Sequence, residues 1–396
     1  MKILKYKKNI TLEYLHTFLR NVNLSNGIWL LFLAFKGFSL FQIGMVETVF
    51  HLTSLTMEVP TGIIADLYGR KFSRTLGIIS YFIYIALMIL SSNFILIALA
   101  FFFCGLSYTF ESGSGEALVY DSLIFLKKED DYMKVNGKKE VLFQLGSSIS
   151  LFVGGYIAMV SFNLTFEITA LFYFLALMVI LLMHETPLAK SEKHHSFKEM
   201  MIEHYVKSTK VVFQSKRLLY LIIIGAMMAA PITVLFMYLQ NYLNLLGYSY
   251  FIIGVLLGVH SLLAAFGGIL AYKLEKKYQE RKILIIVPLL MTISFWLILV
   301  DEIIFLPFIF LGFLDSIFYV VLTGYINKII PSETRATALS FSGLMFSIIM
   351  IIIFPIIGMI GDLYSLKISF FILAIIMSIF YFFLLNILRK NHLKIN

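Results

Sequence analysis

Thr61-Gly62-Ile63-Ile64-Ala65-Asp66-Leu67-Tyr68-Gly69-Arg70-Lys71 is the point at which a long apolar run stops. From about residue 41 to residue 64 the chain is long and apolar enough to cross a hydrocarbon layer as a helix, which takes ~20 residues. A carboxylate, a glycine and two cations then follow in quick succession. Gly69 permits the tight reversal that a connection of very few residues needs. Gly62 permits a neighbouring helix to come close. Asp66 suits a helix N-terminus, and Arg70 offers a planar fork to a carboxylate. A second apolar run starts near residue 74. The stretch therefore reads as helix, tight turn, helix, with the turn at a membrane surface.

The rest of the chain repeats this alternation. Of 396 residues, 60% are hydrophobic and 14% charged, with 39 Phe and 22 Tyr. Soluble domains average roughly 45–50% and about 25%. So few charges cannot clothe a water-facing surface, which excludes a soluble enzyme, a nucleic-acid binder and a disordered chain. Twelve stretches qualify as spans, near 11–35, 41–64, 74–91, 94–119, 140–160, 164–183, 218–240, 249–271, 282–300, 303–326, 337–360 and 366–388. Ten-residue blocks of period-2 alternation, the mark of a membrane β-barrel, are absent. The expected fold is an all-α membrane protein of twelve transmembrane helices, with membrane lipid as its surroundings. The single Cys104 excludes an internal disulfide and a thiolate metal site, and no cofactor or metal is expected.

Lysine and arginine set the orientation. With twelve spans, both termini lie on one side. Of the 32 Lys and Arg, only Lys36, Lys367 and Arg20 fall outside the segments on that side. Basic loops stay inside, so both termini are expected in the cytoplasm of a multi-pass cell-membrane protein. The net charge of +9 is then an orientation signal rather than a phosphate-binding surface. The basic leader runs straight into a full-length span, so no cleaved signal peptide is expected. The composition suggests a bacterial source, and a monomer is expected.

Six spans, a polar segment and six more spans form a duplicated layout. The expected division is residues 1–183, a cytoplasmic linker 184–217, and residues 218–396. Lys193-His194-His195 in the linker invites a metal reading, but no further ligand sits at helical spacing. Gly268-Ile269-Leu270-Ala271 faintly echoes Gly62-Ile63-Ile64-Ala65 at the matching helix end of the other half.

The opening stretch resembles the Gly-x-x-x-Asp-x-x-Gly-Arg-Lys signature between the second and third helices of the major facilitator superfamily. Two pseudo-symmetric six-helix bundles are what the resemblance implies. It also implies a cytoplasmic gate built on Gly62, Asp66, Gly69, Arg70 and Lys71, completed by an acid at the end of the fourth helix. Asp121 stands there, so an Asp66–Arg70–Asp121 cluster is expected. Pro331-Ser332-Glu333-Thr334-Arg335-Ala336-Thr337-Ala338-Leu339-Ser340 looks like the segment before the eleventh helix of many members. Gly146, Ser150, Leu151, Gly154 and Gly155 align with an antiporter-branch signature, Ser150 and Leu151 replacing its Gly and Pro. The three glycines are read as helix-packing positions. Thr109-Phe110-Glu111-Ser112-Gly113-Ser114-Gly115 occupies the place of the drug:proton antiporters' Arg-x-x-x-Gly-x-Gly, with Thr109 where the arginine would be.

Charges inside the bilayer are costly, ~2.5–3.5 kcal/mol at a helix centre on insertion scales, so each needs a partner or a task. Glu13, His16 and Arg20 share one face of span 1, continued by Asn23, Asn26 and Gly27. Glu47, His51 and Glu58 share a stripe on span 2. Span 4 holds Glu111 and Glu116, Glu167 opens span 6, His260 lies in span 8 and Asp315 in span 10. Arg20 and Glu111 are expected to pair, Arg20 taking the place of the missing span-4 arginine. Asp315, near Ser316, Tyr319 and Thr323, suits a proton or a cationic substrate. His260 reads as a packed helix-interface residue. Met227, Met228, Pro231, Phe236, Tyr238 and Gln240 on span 7, with Phe318 and Tyr319 on span 10, offer a soft, adaptable lining. Trp29 and Trp296 read as interface anchors.

These features add up to a secondary transporter with a small-molecule substrate and no catalytic residues. Arg20, Asn23, Glu47, His51, Glu58, Glu111, Asp315 and Tyr319 are the candidates for proton or substrate binding. Proton-coupled efflux of an amphiphilic compound is the leading expectation, and uptake of a nutrient or metabolite by symport or facilitation is the alternative. A membrane enzyme would need a catalytic constellation or a larger extramembrane domain. A sensor built on a transporter fold would need a longer central segment.

Overall fold

A computed structural model describes residues 2–186, 213, 215–330 and 335–389. Most of the expected linker, with His194 and His195, and residues 331–334 lie outside the described residues. Every long element among those described is an α-helix. In order they are α1 (Lys2–Asn21), α2 (Trp29–Phe35), α3 (Leu40–Tyr68), α4 (Arg70–Leu90), α5 (Phe94–Glu111), α6 (Ser114–Leu126), α7 (Tyr132–Ala158), α8 (Phe162–Leu182), α9 (Lys216–Leu245), α10 (Tyr250–Leu297), α11 (Phe305–Ile329), α12 (Arg335–Leu363) and α13 (Leu366–Arg389). Nine helical stretches among the described residues are long and apolar enough to cross a membrane. Expected spans 1, 2 and 9 fall outside that count for local reasons. The first is broken and charged, and α3 carries Glu47, Glu58 and several hydroxyls. The ninth is the distal part of α10, whose 48 residues would measure ~72 Å if straight and hold spans 8 and 9 together.

The chain condenses into two compact units. One joins Met1–Phe32 to Val49–Met201, and the other joins Leu33–Thr48 to Ile202–Asn396. In the first unit, span 1 is interrupted between α1 and α2 by residues 22–28. The α7 backbone lies directly against this interruption. A Cβ added at Gly146 would sit 3.0 Å from the Phe18 carbonyl oxygen, and one at Gly154 would collide with the Leu24 carbonyl. Between them Ser150 donates to the Asn21 carbonyl at 3.0 Å, occupying an acceptor that the break frees. The expected packing role of Gly146 and Gly154 follows from this small-residue stripe; Gly155 is also buried. Gly62 does not pack in the expected way, since a Cβ there meets nothing within 4 Å.

The fourth span is also divided. α5 ends at Glu111, and Gly113 at φ 70° opens α6. The freed Phe110 carbonyl accepts the Ser73 hydroxyl at 2.8 Å, and Ser114 donates to Ser73 at 3.1 Å. Tyr81 and Tyr173 stack at 3.9 Å with 12° between the rings. Trp29 is buried against Phe101 at 5.0 Å and so is a core residue rather than the interface anchor expected. Its break-adjacent position turns it inward.

In the second unit, the N-terminus of α3 is closed by a carboxylate. Asp362 accepts the Leu40 and Phe41 amides at 2.9 and 2.8 Å, satisfying two of the donors that a helix start leaves open. Tyr238 is wholly buried, and its single hydroxyl proton is shared between the Leu40 and Phe354 carbonyls at 2.9 and 3.2 Å. It therefore ties the start of α3 to the middle of α12 instead of lining a site. His260 is buried, stacked on Phe308 at 4.6 Å with Nδ1 2.9 Å from the Phe308 carbonyl, as the packing reading expects. Trp296 is half exposed and donates to Ser378 at 3.1 Å. Asp301, between α10 and α11, accepts the Tyr242 hydroxyl at 2.7 Å and pairs with Lys367 at 2.7 Å.

Two outcomes follow from this packing. Gly154→Ala should cost about 1–3 kcal/mol because α7 must retreat from a backbone carbonyl. Gly137→Ala on the same helix meets open space and should be neutral or stabilising by up to ~1 kcal/mol; thermal melts of the purified variants that coincide would refute the contrast. The hydrogen bonds from Lys367 and Tyr242 hold the Asp301 carboxyl below its ordinary range. Its stabilising contribution is therefore complete above the unfolded pKa of about 3.9 and fades as pH falls through the lower folded value. The melting-temperature gap between the wild type and Asp301→Asn should stay constant at and above about pH 5 and close only in stronger acid.

Candidate buried charge site

The densest chemistry in the first unit surrounds Arg74, in the second turn of α4. The residue sits at the membrane-facing start of an apolar run and reads from sequence as one more loop cation. In the structure its side chain is fully buried. Nε donates to both Glu111 oxygens at 3.1 and 3.2 Å, and Nη2 to Oε1 at 2.8 Å. Nη1 donates to Glu13 Oε2 at 2.6 Å, and Nη2 reaches Glu13 Oε1 at 3.3 Å. Nη2 also lies 2.6 Å from His16 Nδ1. Lys139 of α7 completes the set, 3.0 Å from Glu13 Oε1.

Local structure explains how the cluster fits. Glu111 is the last residue of α5 and points into the kink before α6. Gly115 leaves room for it: a Cβ there would stand 3.1 Å from Glu111 Oε1 and 3.5 Å from Arg74 Cζ. Glu13 and His16 are one turn apart on the buried face of α1. The planar fork of arginine satisfies two carboxylates at once, which a lysine could not do. Two anions therefore face two cations, and the burial cost of each charge is offset by its partners.

The expected Arg20–Glu111 ion pair is not what forms, because Arg74 occupies the Glu111 carboxylate. Arg20 remains within electrostatic reach of Glu111, Tyr173 and Tyr81. Asn23 donates to the Tyr81 hydroxyl at 2.6 Å and accepts from Ser25 at 2.7 Å. Glu47 and His51 are buried on α3 and Glu58 is half-buried there. Asp315 lies on α11 and forms no ion pair or hydrogen bond with a described residue. Tyr319 is largely exposed, on the outer side of α11 rather than in a lining.

The signature turn is ordered differently from the expected three-residue cluster. Asp66 pairs with Arg70 on the adjoining helix, whereas Asp121 accepts the Thr186 hydroxyl at 3.2 Å. The acid that closes the turn is Glu185, just beyond α8. It accepts the Arg70 and Lys71 amides at 3.1 and 2.9 Å, above Gly69 at φ 109°. Lys71 in turn donates to the Leu181 and Met183 carbonyls at 2.6 and 3.1 Å, capping the end of α8. Beside it, partial burial and then Lys5, Lys8 and Lys71 hold His184 below the ordinary histidine range. Arg74, Lys139 and Glu185 were missed by sequence reasoning. A signal existed for Arg74: Phe72 and Ser73 separate it from the Arg70-Lys71 pair, and it opens the apolar run of span 3.

Comparison with known proteins now bears on the whole chain. The family model for the Major Facilitator Superfamily matches residues 16–303 and 276–395. A Bacillus subtilis (strain 168) protein, the uncharacterized MFS-type transporter YxaM, is 25% identical over 358 residues, 89% of this chain and 88% of that one. Among solved structures, the nucleoside transporter NupG superposes with a TM-score of 0.78 at 14% identity, covering 98% of this chain and 99% of that chain. A D-xylose-proton symporter gives 0.74 at 13% identity, covering 96% and 97%. These likenesses share the fold of two six-helix bundles. The chain belongs to the Major Facilitator Superfamily: it is a multi-pass membrane transporter, not an enzyme.

Proposed function

We propose that this transporter works by alternating access and couples proton movement to the export of an amphiphilic or drug-like compound, with Asp315 as the coupling carboxylate. The observation that carries this reading is a contrast between acids. Glu13 and Glu111 are already neutralised by Arg74 and Lys139. Asp315 has no counter-charge among the described residues, yet lies on a membrane-spanning helix. An uncompensated charge there is costly, so the carboxylate does best with a proton or a cationic group bound to it. Switching between these states as its surroundings alternate is what coupling requires. Met227, Phe236 and Met237 on α9 are only partly buried and support an adaptable, apolar substrate contact.

Import by symport is the second reading, favoured by the fold's likeness to a D-xylose-proton symporter. The direction is read by loading cells with fluorescent amphiphiles, both cationic and anionic. Cells that make the protein should empty faster, and a protonophore should abolish the difference. Faster filling instead would favour symport, and indifference to the protonophore would remove proton coupling.

Two variants separate coupling from architecture. Asp315→Asn should abolish gradient-driven movement while energy-independent exchange in proteoliposomes persists; full gradient-driven transport in this variant would sink its assigned role. Arg74→Leu strands the Glu111 carboxylate and leaves Glu13 with Lys139 alone, and breaking a buried pair typically costs about 3–5 kcal/mol. Its expected result is loss of folded, monodisperse protein in size-exclusion chromatography. Normal yield and melting would show that the cluster is not the structural tie described above.

A further inference from the structure

Two groups on the buried face of α1 remain unmatched, and both are donors. Arg74 can only donate, so the nitrogen it faces at 2.6 Å, His16 Nδ1, must accept. A neutral His16 with Nδ1 accepting carries its proton on Nε2. His16 is 1% exposed, and Nε2 has no hydrogen-bond partner among the described residues. A buried donor left open is costly and calls for an acceptor. Arg20 stands one turn further along the same face of this helix. It makes no ion pair or hydrogen bond with any described residue, and it is not sealed: its side chain is half-buried.

The surroundings are those of a ligand site. Span 1 breaks immediately after Arg20, at residues 22–28, and interrupted membrane helices mark transporter substrate sites because they release polar groups at depth. The stacked pair Tyr81–Tyr173 stands near Arg20; both rings are buried and offer it no carboxylate. The acid that could have neutralised Arg20, Glu111, is held by Arg74.

We infer that Arg20 and His16 Nε2–H form an oxyanion subsite beside the span-1 break. It takes the carboxylate or phosphate end of an amphiphilic ligand. This deepens the transport reading by naming the charge of the substrate, and it rests on that reading only for what happens after binding.

The test is calorimetric titration of the full-length protein in nanodiscs with three probes that share one ring system: 1-naphthoate, 1-naphthyl phosphate and 1-naphthylmethylamine. The wild type should bind at least one of the anions tenfold or more tighter than the amine, and which anion wins tells the carboxylate source from the phosphate source. Arg20→Gln should erase that preference with its melting temperature unchanged, since no ion pair is lost. Arg20→Lys should recover part of it. If Arg20→Gln fails to fold, the wild-type preference decides alone. Equal binding of anions and amine, or anion binding undisturbed in a folded Arg20→Gln, overturns the proposal. Arg20-dependent binding without movement of the anion in proteoliposomes upholds the subsite and strikes at the transport reading instead.

Discussion

One guanidinium organises the first unit. Arg74 draws α4, α1 and the end of α5 to a single point by binding Glu13 and Glu111 together, and Lys139 adds α7 through Glu13. Each charge is tolerable only because the others are present. Desolvating an isolated ion costs several kcal/mol even after relaxation, so the four groups are kept or lost as a set. The division of span 4 into α5 and α6 belongs to the same arrangement. It aims Glu111 inward, and the loose Phe110 carbonyl is taken by Ser73, one residue before Arg74. The interruption of span 1 has its own support, in the glycines and serine of α7.

That cluster also determines which residues are left for function. Because Arg74 satisfies both acids, Arg20 is released from the pairing its position suggests. His16 is fixed in one tautomer. Asp315, far away in sequence and in the other compact unit, has no comparable partner among the described residues. A chain with 23 acidic residues thus separates them into acids that hold helices together and acids that stay available. Only the second kind can change protonation or partner during a transport cycle without dismantling the protein.

Much of this was legible in the residues. The apolar runs of ~20 residues, the turn at Gly69 and the packing glycines Gly146 and Gly154 follow from chain length in lipid and from backbone contact, both local properties. The candidate site was legible in its members but not in its pairings. Glu13, His16, Arg20 and Glu111 were recognisable as costly charges. Which cation meets which acid depends on how helices distant in sequence are rotated against each other, and no periodicity along one helix contains that. Arg74 was hidden by its neighbours: beside Arg70 and Lys71 it reads as the third member of a basic loop. Only its burial reveals that α4 begins at Arg70 and carries Arg74 a full turn inward. The breaks in spans 1 and 4 did leave a mark, Asn23, Ser25, Asn26 and Gly27 in one and Ser112, Gly113 and Ser114 in the other, but small and polar residues suit a water-lining helix face equally well.

The scarcity of charge has a further consequence at helix ends. Each helix start exposes amides that neither lipid nor the helix itself can satisfy, and this chain closes two such starts with carboxylates from elsewhere. Glu185 takes the first two amides of α4, and Asp362 takes those of α3. The sequence around Asp362 repeats the opening stretch: Gly358, Ile360, Asp362, Leu363, Tyr364 and Lys367 match Gly62, Ile64, Asp66, Leu67, Tyr68 and Lys71 at one constant offset. Both copies end a membrane helix, yet their acids do different work, Asp66 pairing with Arg70 and Asp362 binding backbone. The difference follows from the first and second residues after the tyrosine that ends each helix. Where Gly69 and Arg70 supply a tight turn and a cation, the carboxylate finds a side chain; where Ser365 and Leu366 stand, it has none beside it and turns to the open amides of α3. The same short pattern therefore serves as a turn in one place and as a cap in the other, and the local choice is made by a single arginine.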